Sequence, residues 1–287
     1  MSRVVYVNGA YQPWSAAQVH AEDRGFQFGD AVYEVCEVRD GRLIDETRHM
    51  DRLDRSLAEL AIESPMSRPA WSRVLRETIR RNRVTDGSVY LQVSRGVARR
   101  EFLFPKPGTK PTVVVIARPA DRAKAEAKAQ AGIAIVTRAD PRWERCDIKT
   151  VMLLPASLAK EAARKEGAGE VWFTDDDGAV TEGGSSNAWI VTRDGVLVTR
   201  ATSQALLGGI TRLTLFDVVA REGLRLEQRA FTVAEALDAR EAFVTSATSI
   251  VMPVVRIDGR AVGNGAPGSV SLRLREVFHE VAASSAT

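Results

Sequence analysis

Lys149 lies in 142-RWERCDIKTVMLLP-155, between an isoleucine and an apolar run. The chain has 40 Lys+Arg, only seven of them lysine, so arginine is its ordinary cation. The other six lysines stand where a solvated lysine is expected. Lys106 and Lys110 are in a Pro-rich run, and Lys124, Lys128, Lys160 and Lys165 are in charged, helix-like runs. A lysine boxed by apolar neighbours tends to lose its charge, and a neutral amine is a nucleophile that forms Schiff bases. Three other stretches carry chemistry. In 181-TEGGSSNAW-189, Glu182 ends a strand beside two glycines, placed either for acid–base work or to cap the turn. In 208-GGITR-212, glycines lead into a helix, whose first N–H groups form a ready anion site. In 245-TSATS-249, hydroxyls cluster between two apolar strands, suited to a phosphate or to their own backbone.

The bulk composition excludes several other classes. At 287 residues, 45% hydrophobic and 27% charged, the chain is long enough for one large globular domain or two ordinary ones. The formal charge is +3, with acidic and basic residues interleaved, so no nucleic-acid footprint is expected. The most basic run, 76-RETIRRNR-83, reads as the solvated face of a helix. Cys36 and Cys146 are far apart and His20, His49 and His279 are scattered, so neither a disulfide framework nor a metal site is implied. No apolar run spans a bilayer and nothing at the N-terminus resembles a signal peptide, which makes the cytoplasm the expected location.

Elements to position these residues follow from periodicity. Strands are expected at 4–14, with an Asn8-Gly9 hairpin turn, and at 31–44, with a turn at Asp40-Gly41. Apolar spacing predicts helices over 46–62 and from Arg68 to Val84, the second signalled by Ser67 and Pro69. Strands at 88–97 and 112–119 complete a domain over 1–119. The polar, alanine-rich 120-ADRAKAEAKAQAG-132 reads as an interdomain linker, though an exposed helix fits the same composition. The second domain, 133–287, is expected to have strands at 133–139, 170–175, 188–193 and 195–200, and two more within 242–257. Its helices are expected at Met152–Glu166, 211–223 and Ser269–Val281, with a capping box of Thr232 and Glu235 before a short one. Hairpin-joined strands with separate helices indicate an α+β fold with mainly antiparallel sheets.

A nucleophilic lysine, a carboxylate and two phosphate-binding loops are together the parts that pyridoxal phosphate needs: an amine for its aldehyde, an acid partner for its ring nitrogen, and donors for its phosphate. At this point the chain resembles the fold-type IV pyridoxal-phosphate enzymes, and among them the D-amino-acid (D-alanine) aminotransferases. The resemblance is carried by 22-EDRGFQFGDAVYEV-35, 49-HMDRL-53, 91-LQVSRG-96, 142-RWERCDIKT-150, 181-TEGGSSNAW-189, 208-GGITR-212 and 243-FVTSATS-249. It implies a smaller N-terminal α/β sandwich and a larger C-terminal pseudo-barrel domain that binds pyridoxal 5′-phosphate.

The resemblance also implies roles. Lys149 would be the Schiff-base lysine and the proton carrier, and Glu182 the partner of the pyridine nitrogen. Arg52, the backbone of Ile210 and Thr211, Ser246 and Ala247 would hold the phosphate. Arg142 would lie near the ring hydroxyl and Leu207 behind the ring. The substrate carboxylate would meet Tyr33 and Arg100, the latter lent by a neighbouring subunit of a homodimer with shared active sites. The family's histidine position is Phe102, which donates no hydrogen bond, so one carboxylate contact is lost and an apolar surface replaces it. Arg99 or Arg24 is the nearby cation open to compensate, and the sequence does not distinguish between them. Ala247 stands where the family usually has a threonine. The activity implied is ping-pong transamination of D-amino acids such as D-alanine with a 2-oxo acid, pyruvate or 2-oxoglutarate. The same scaffold leaves open (R)-amine or branched-chain L-amino-acid transamination, or aminodeoxychorismate lyase chemistry.

Overall fold

The computed structural model describes residues 3–285. Two compact units make up the chain. The first is Met1–Arg122 with Ile148–Met152 and Ala283–Thr287; the second is Ala123–Asp147 with Leu153–Ala282. Two short segments from the C-terminal half of the sequence therefore belong to the first unit, and one of them carries Lys149.

In the first unit β1 (Val4–Val7) and β2 (Ala10–Pro13) form a hairpin in which Asn8 and Gly9 both take positive φ, 45° and 96°. That mirror-image turn matches the twist of paired strands. A five-residue helix, α1 (Arg24–Phe28), was not legible from apolar spacing; Asp23 caps it by accepting from the Gly25 N–H. After it come β3 (Ala31–Arg39), β4 (Arg42–Ile44), α2 (Glu46–Glu59), α3 (Arg68–Asn82), β5 (Gly87–Ser94) and β6 (Thr112–Pro119). Seven strands form one sheet in the order Ser284–Ser285, β4, β3, β5, β6, β1, β2, every pair antiparallel. Met50, Leu53 and Leu57 of α2 and Trp71, Leu75 and Ile79 of α3 recur at helical spacing and close one core with Val32, Cys36, Val89, Leu91 and Val115. Ser67 stands at the N-cap of α3 but its side chain makes no cap hydrogen bond; the proline in the first turn sets the start instead.

The second unit begins at Ala123, one residue into α4 (Arg122–Ala131), so the stretch read as a linker is helical, with Ala129 its buried residue. Next are β7 (Ile133–Ala139), α5 (Leu154–Lys165), β8 (Glu170–Thr174), β9 (Val180–Gly183), β10 (Asn187–Val191) and β11 (Leu197–Thr199). The chain continues through α6 (Ile210–Arg221), β12 (Leu226–Gln228), α7 (Val233–Asp238), β13 (Glu241–Ser246), β14 (Ile250–Ile257), β15 (Arg260–Ala261) and α8 (Ser269–Val281). The sheet runs β12, β11, β10, β13, β14, β7, β8, β9, with β15 paired to β14. It is mixed, because β7 is parallel to both β14 and β8, and β11 to β12. β9 ends the sheet, yet a tight turn closed by the Gly183 N–H on the Ser186 carbonyl (2.6 Å) leads straight into β10, third from the other edge. Only a curled sheet permits this, which is the expected pseudo-barrel. Its inside is lined by Ile135, Trp172, Ala188, Ile190, Val198, Val244 and Met252. Trp189, on the opposite face of β10, stacks on Phe243 and meets Phe216 of α6 edge-on.

The N-terminus of α8 is capped by a carboxylate from another element. Glu241 of β13, 4% exposed, accepts from the Val270 N–H at 2.9 Å and the Ser271 N–H at 2.8 Å. Glu241→Ala leaves two helix donors unmet in a dry site, and a lower thermal midpoint corresponding to about 1–2 kcal/mol is expected in thermal unfolding.

Candidate active site

In the first unit Lys149 is placed by strand pairing. The β4 partners of β3 reach only Val38 and Arg39, which leaves the other end of β3 with a free edge. The segment around Lys149 takes that edge: the Tyr33 N–H donates to the Lys149 carbonyl at 3.0 Å and the Val151 N–H to the Ala31 carbonyl at 3.1 Å. Lys149 is half-buried, and its Nζ lies 4.2 Å from the centroid of the Tyr33 ring. The structure thus brings together the expected amine and one expected substrate contact.

Arg52 is held by residues that the functional reading of the sequence did not single out. β3 alternates, burying Val32, Glu34, Cys36 and Val38 on one face. A glutamate in phase with those apolar residues is a buried carboxylate, and that phase was the available signal. Glu34 is fully buried and accepts from Arg52 Nε and Nη2, both at 2.7 Å, and from His49 Nδ1 at 2.8 Å. Burial pushes the Glu34 carboxyl up, but the Arg52 guanidinium and His49 outweigh it and hold it down at about 2. Burial also lowers the His49 pKa against the pull of Glu34, so His49 is neutral and gives its Nδ1–H to the carboxylate.

Arg100 and Phe102 stand at the surface, Phe102 85% exposed with its ring 6.0 Å from that of Phe28, over which the Arg100 guanidinium also lies. Their loop is tied down by Arg24, whose Nη1 donates to the carbonyls of Glu101 (2.7 Å) and Leu103 (3.3 Å). Arg24 Nε is given to Asp30, which Arg95 also grips with two N–H bonds. Arg24 is therefore committed to holding the loop and does not replace the missing histidine; Arg99 is exposed.

The remaining expected residues lie in the second unit, around a second buried carboxylate. Glu182, 5% exposed, accepts from Arg142 Nη1, from Asn187 Nδ2 at 3.1 Å and from the Leu207 N–H at 3.1 Å. Asn187 also donates to the Leu207 carbonyl, so one side chain joins the β10 start to the loop before α6. Arg142 is shared with Asp140, to which it donates from Nε and Nη2. Burial disfavours the Arg142 charge, but Asp140 and Glu182 more than reverse that and its pKa is raised. Gly209 is the N-cap of α6 and makes no side-chain cap hydrogen bond, so no capping side chain takes up the first N–H groups, those of Ile210 and Thr211. A Cβ at Gly209 would meet Asn187 Oδ1 at 2.1 Å, so a side chain there would force Asn187 out of the position in which it donates to Glu182 and to the Leu207 carbonyl. Ser246 and Ala247 lie at the β13–β14 turn, where Ser246 Oγ is 3.5 Å from Thr248 Oγ1. Asp140 and Asn187 are the partners the sequence reading missed. Each sits within a quoted or adjoining stretch, but only the fold shows what it touches. Among the described residues no cluster of His, Cys, Asp and Glu could hold a metal.

The Amino-transferase class IV family matches residues 31–257 of this chain. The chain is 37% identical to a D-alanine aminotransferase of Staphylococcus haemolyticus over 96% of both chains, and 39% identical to that of Bacillus licheniformis over 93% of both. It also matches the branched-chain amino acid aminotransferase of T.th., solved with pyridoxamine 5′-phosphate, with a TM-score of 0.90, 26% identity and coverage of 98% of this chain and 94% of that one. The chain belongs to the class IV aminotransferases. It is an aminotransferase of fold type IV, and its cofactor is pyridoxal 5′-phosphate. Each unit by itself holds side chains of the kinds that group needs: a half-buried amine, Lys149, in the first, and a buried carboxylate, Glu182, and a helix start without a side-chain cap in the second.

Removing one partner of a buried ion pair strands the other. Arg52→Met is expected to cost about 3–5 kcal/mol in urea unfolding, and more than the double variant Arg52→Met/Glu34→Leu costs. Glu34 ionises at about 2 in the fold against 4.5 for an ordinary glutamate, so its contribution is present at neutral pH and lost as pH falls through that window. The acid fall in thermal midpoint is expected to be shallower in Glu34→Gln than in the parent protein. Equal slopes would remove Glu34 as its source.

Proposed function

We propose that this aminotransferase moves the amino group of D-amino acids, D-alanine among them, to 2-oxo acids such as pyruvate or 2-oxoglutarate. The observation that carries the reading is Glu182, a buried carboxylate on which three donors converge while it ends a strand beside the uncapped start of α6. When bound, pyridoxal phosphate supplies the electron sink that makes loss of the substrate Cα proton feasible. Lys149 would hold the cofactor at its aldehyde carbon through Nζ, and the same amine would be the base that takes the proton from the substrate Cα. Glu182 would accept the ring N–H, its carboxylate oriented for that task by Arg142, Asn187 and the Leu207 N–H. Arg142 serves the ring hydroxyl and Leu207 backs the ring. Arg52, aimed by Glu34 and His49, meets the phosphate together with the Ile210 and Thr211 N–H groups, Ser246 and the Ala247 N–H. Tyr33 and Arg100 take the substrate carboxylate, and Phe102 presents an apolar face where the resemblance leads one to expect a histidine.

A cytoplasmic homodimer with shared sites belongs to the same reading. No helix among the described residues is long and apolar enough to cross a membrane, and the exposed run Phe102, Leu103 and Phe104 suits burial against a second copy. Because Phe102 removes a carboxylate donor, (R)-amine transamination is the second reading.

Adding D-alanine without acceptor to the purified yellow protein is expected to bleach the visible absorbance and release one equivalent of pyruvate; L-alanine does neither. An unchanged spectrum with D-alanine and bleaching with an (R)-amine would transfer the assignment to the second reading. Lys149→Ala is expected to lose the visible band and more than about a thousandfold in turnover. Glu182→Ala should keep the band and lose about a hundredfold or more.

A further inference from the structure

The β13–β14 hairpin turns through residues 247–249, and the next residue, Ile250, has φ +57°. This is left-handed backbone, which a β-branched side chain resists and which three-residue hairpin loops normally assign to glycine. Such a conformation persists only where its surroundings over-determine it. Here the Ile250 side chain is buried at 6% exposure, and the carbonyls on either side of it are held by a single nitrogen. Arg275 Nη1 donates to the Ser249 carbonyl at 2.6 Å and to the Val251 carbonyl at 2.9 Å. Arg275 comes from α8, its side chain is 11% exposed, and its Nε pairs with Glu126 of α4 at 2.9 Å. Within the turn, the Ser249 N–H donates to Ser246 Oγ at 3.2 Å, which fixes the hydroxyl that stands nearest Thr248. A turn that receives an anion must keep its carbonyls away from the anion, and Arg275 engages two of them.

We propose that Arg275 is a positioning residue for the phosphate end of the cofactor. It holds the strained turn in the shape that offers Ser246, the Ala247 N–H and Thr248 to a phosphate, without touching the phosphate itself. The inference rests on the reading of this turn as part of the phosphate site. It also gives α4 a task, since Glu126 fixes the guanidinium from the other side.

The test compares two ligands of the apoprotein, pyridoxal phosphate and pyridoxal, which differ only in the phosphate. Binding is followed by quenching of tryptophan fluorescence. Arg275→Met is expected to weaken pyridoxal phosphate about tenfold and to leave pyridoxal within about twofold, while Arg275→Lys recovers part of the loss. Equal weakening of both ligands, or of neither, overturns the proposal. If Arg275→Met does not fold, Glu126→Gln carries the same comparison with a smaller selective loss expected, and no selective loss overturns it. The double variant Ser246→Ala/Thr248→Val tests the underlying reading separately. Phosphate-selective weakening there, without any in Arg275→Met, leaves the phosphate site standing and removes Arg275 from it. No selective weakening in either removes both.

Discussion

A carboxylate taken out of water must be met by donors, and each unit of this protein is organised around one that is. In the first unit Glu34 is wholly buried yet stays ionised, because the Arg52 fork and the His49 Nδ1–H supply more than burial takes away. The same contacts determine where Arg52 can be. Its guanidinium is planar, and two of its nitrogens are engaged on one carboxylate, so its direction is set before any ligand arrives. In the second unit Glu182 plays the corresponding part, with Arg142, Asn187 and the Leu207 N–H drawn onto it from three parts of the chain.

Backbone geometry places the groups that charge does not. Lys149 is held to the edge of β3 by main-chain hydrogen bonds, which leave its side chain free for chemistry while fixing its root. The start of α6 needs Gly209 for two reasons: a side chain would collide with Asn187, and a capping side chain would consume the donors that an anion requires. At the β13–β14 turn the requirement is reversed. Ile250 occupies a backbone state better suited to glycine, with its side chain buried and Arg275 bonded to the carbonyls on either side of it.

Much of this was legible in one dimension. Hairpin turns at Asn8-Gly9 and Asp40-Gly41 need positive φ that few residues tolerate, so their identity reveals them, and the final helix Ser269–Val281 follows directly from apolar spacing. Lys149 stood out because arginine is the default cation here, and Glu182 because glycines follow it. The short helix Arg24–Phe28 was not legible, since five residues carry too little periodicity. Nor was the commitment of Arg24, an arginine that sequence alone left available for substrate and that the fold spends on Asp30 and the carbonyls of Glu101 and Leu103.

By itself the sequence determined the residue types: the amine, the carboxylates, the glycines at the helix start, the hydroxyl-rich turn, and Phe102 where a histidine was expected. Those are local properties, settled by side-chain chemistry and short-range backbone preference. The tertiary structure alone decided the pairings: Glu34 with Arg52 and His49, Glu182 with Arg142 and Asn187, and Arg275 with the strained turn, 24 to 26 residues away along the chain. It also decided that Ile148–Met152 joins the first unit, because the free edge of β3 offers unpaired backbone groups that only a segment from elsewhere in the chain can satisfy.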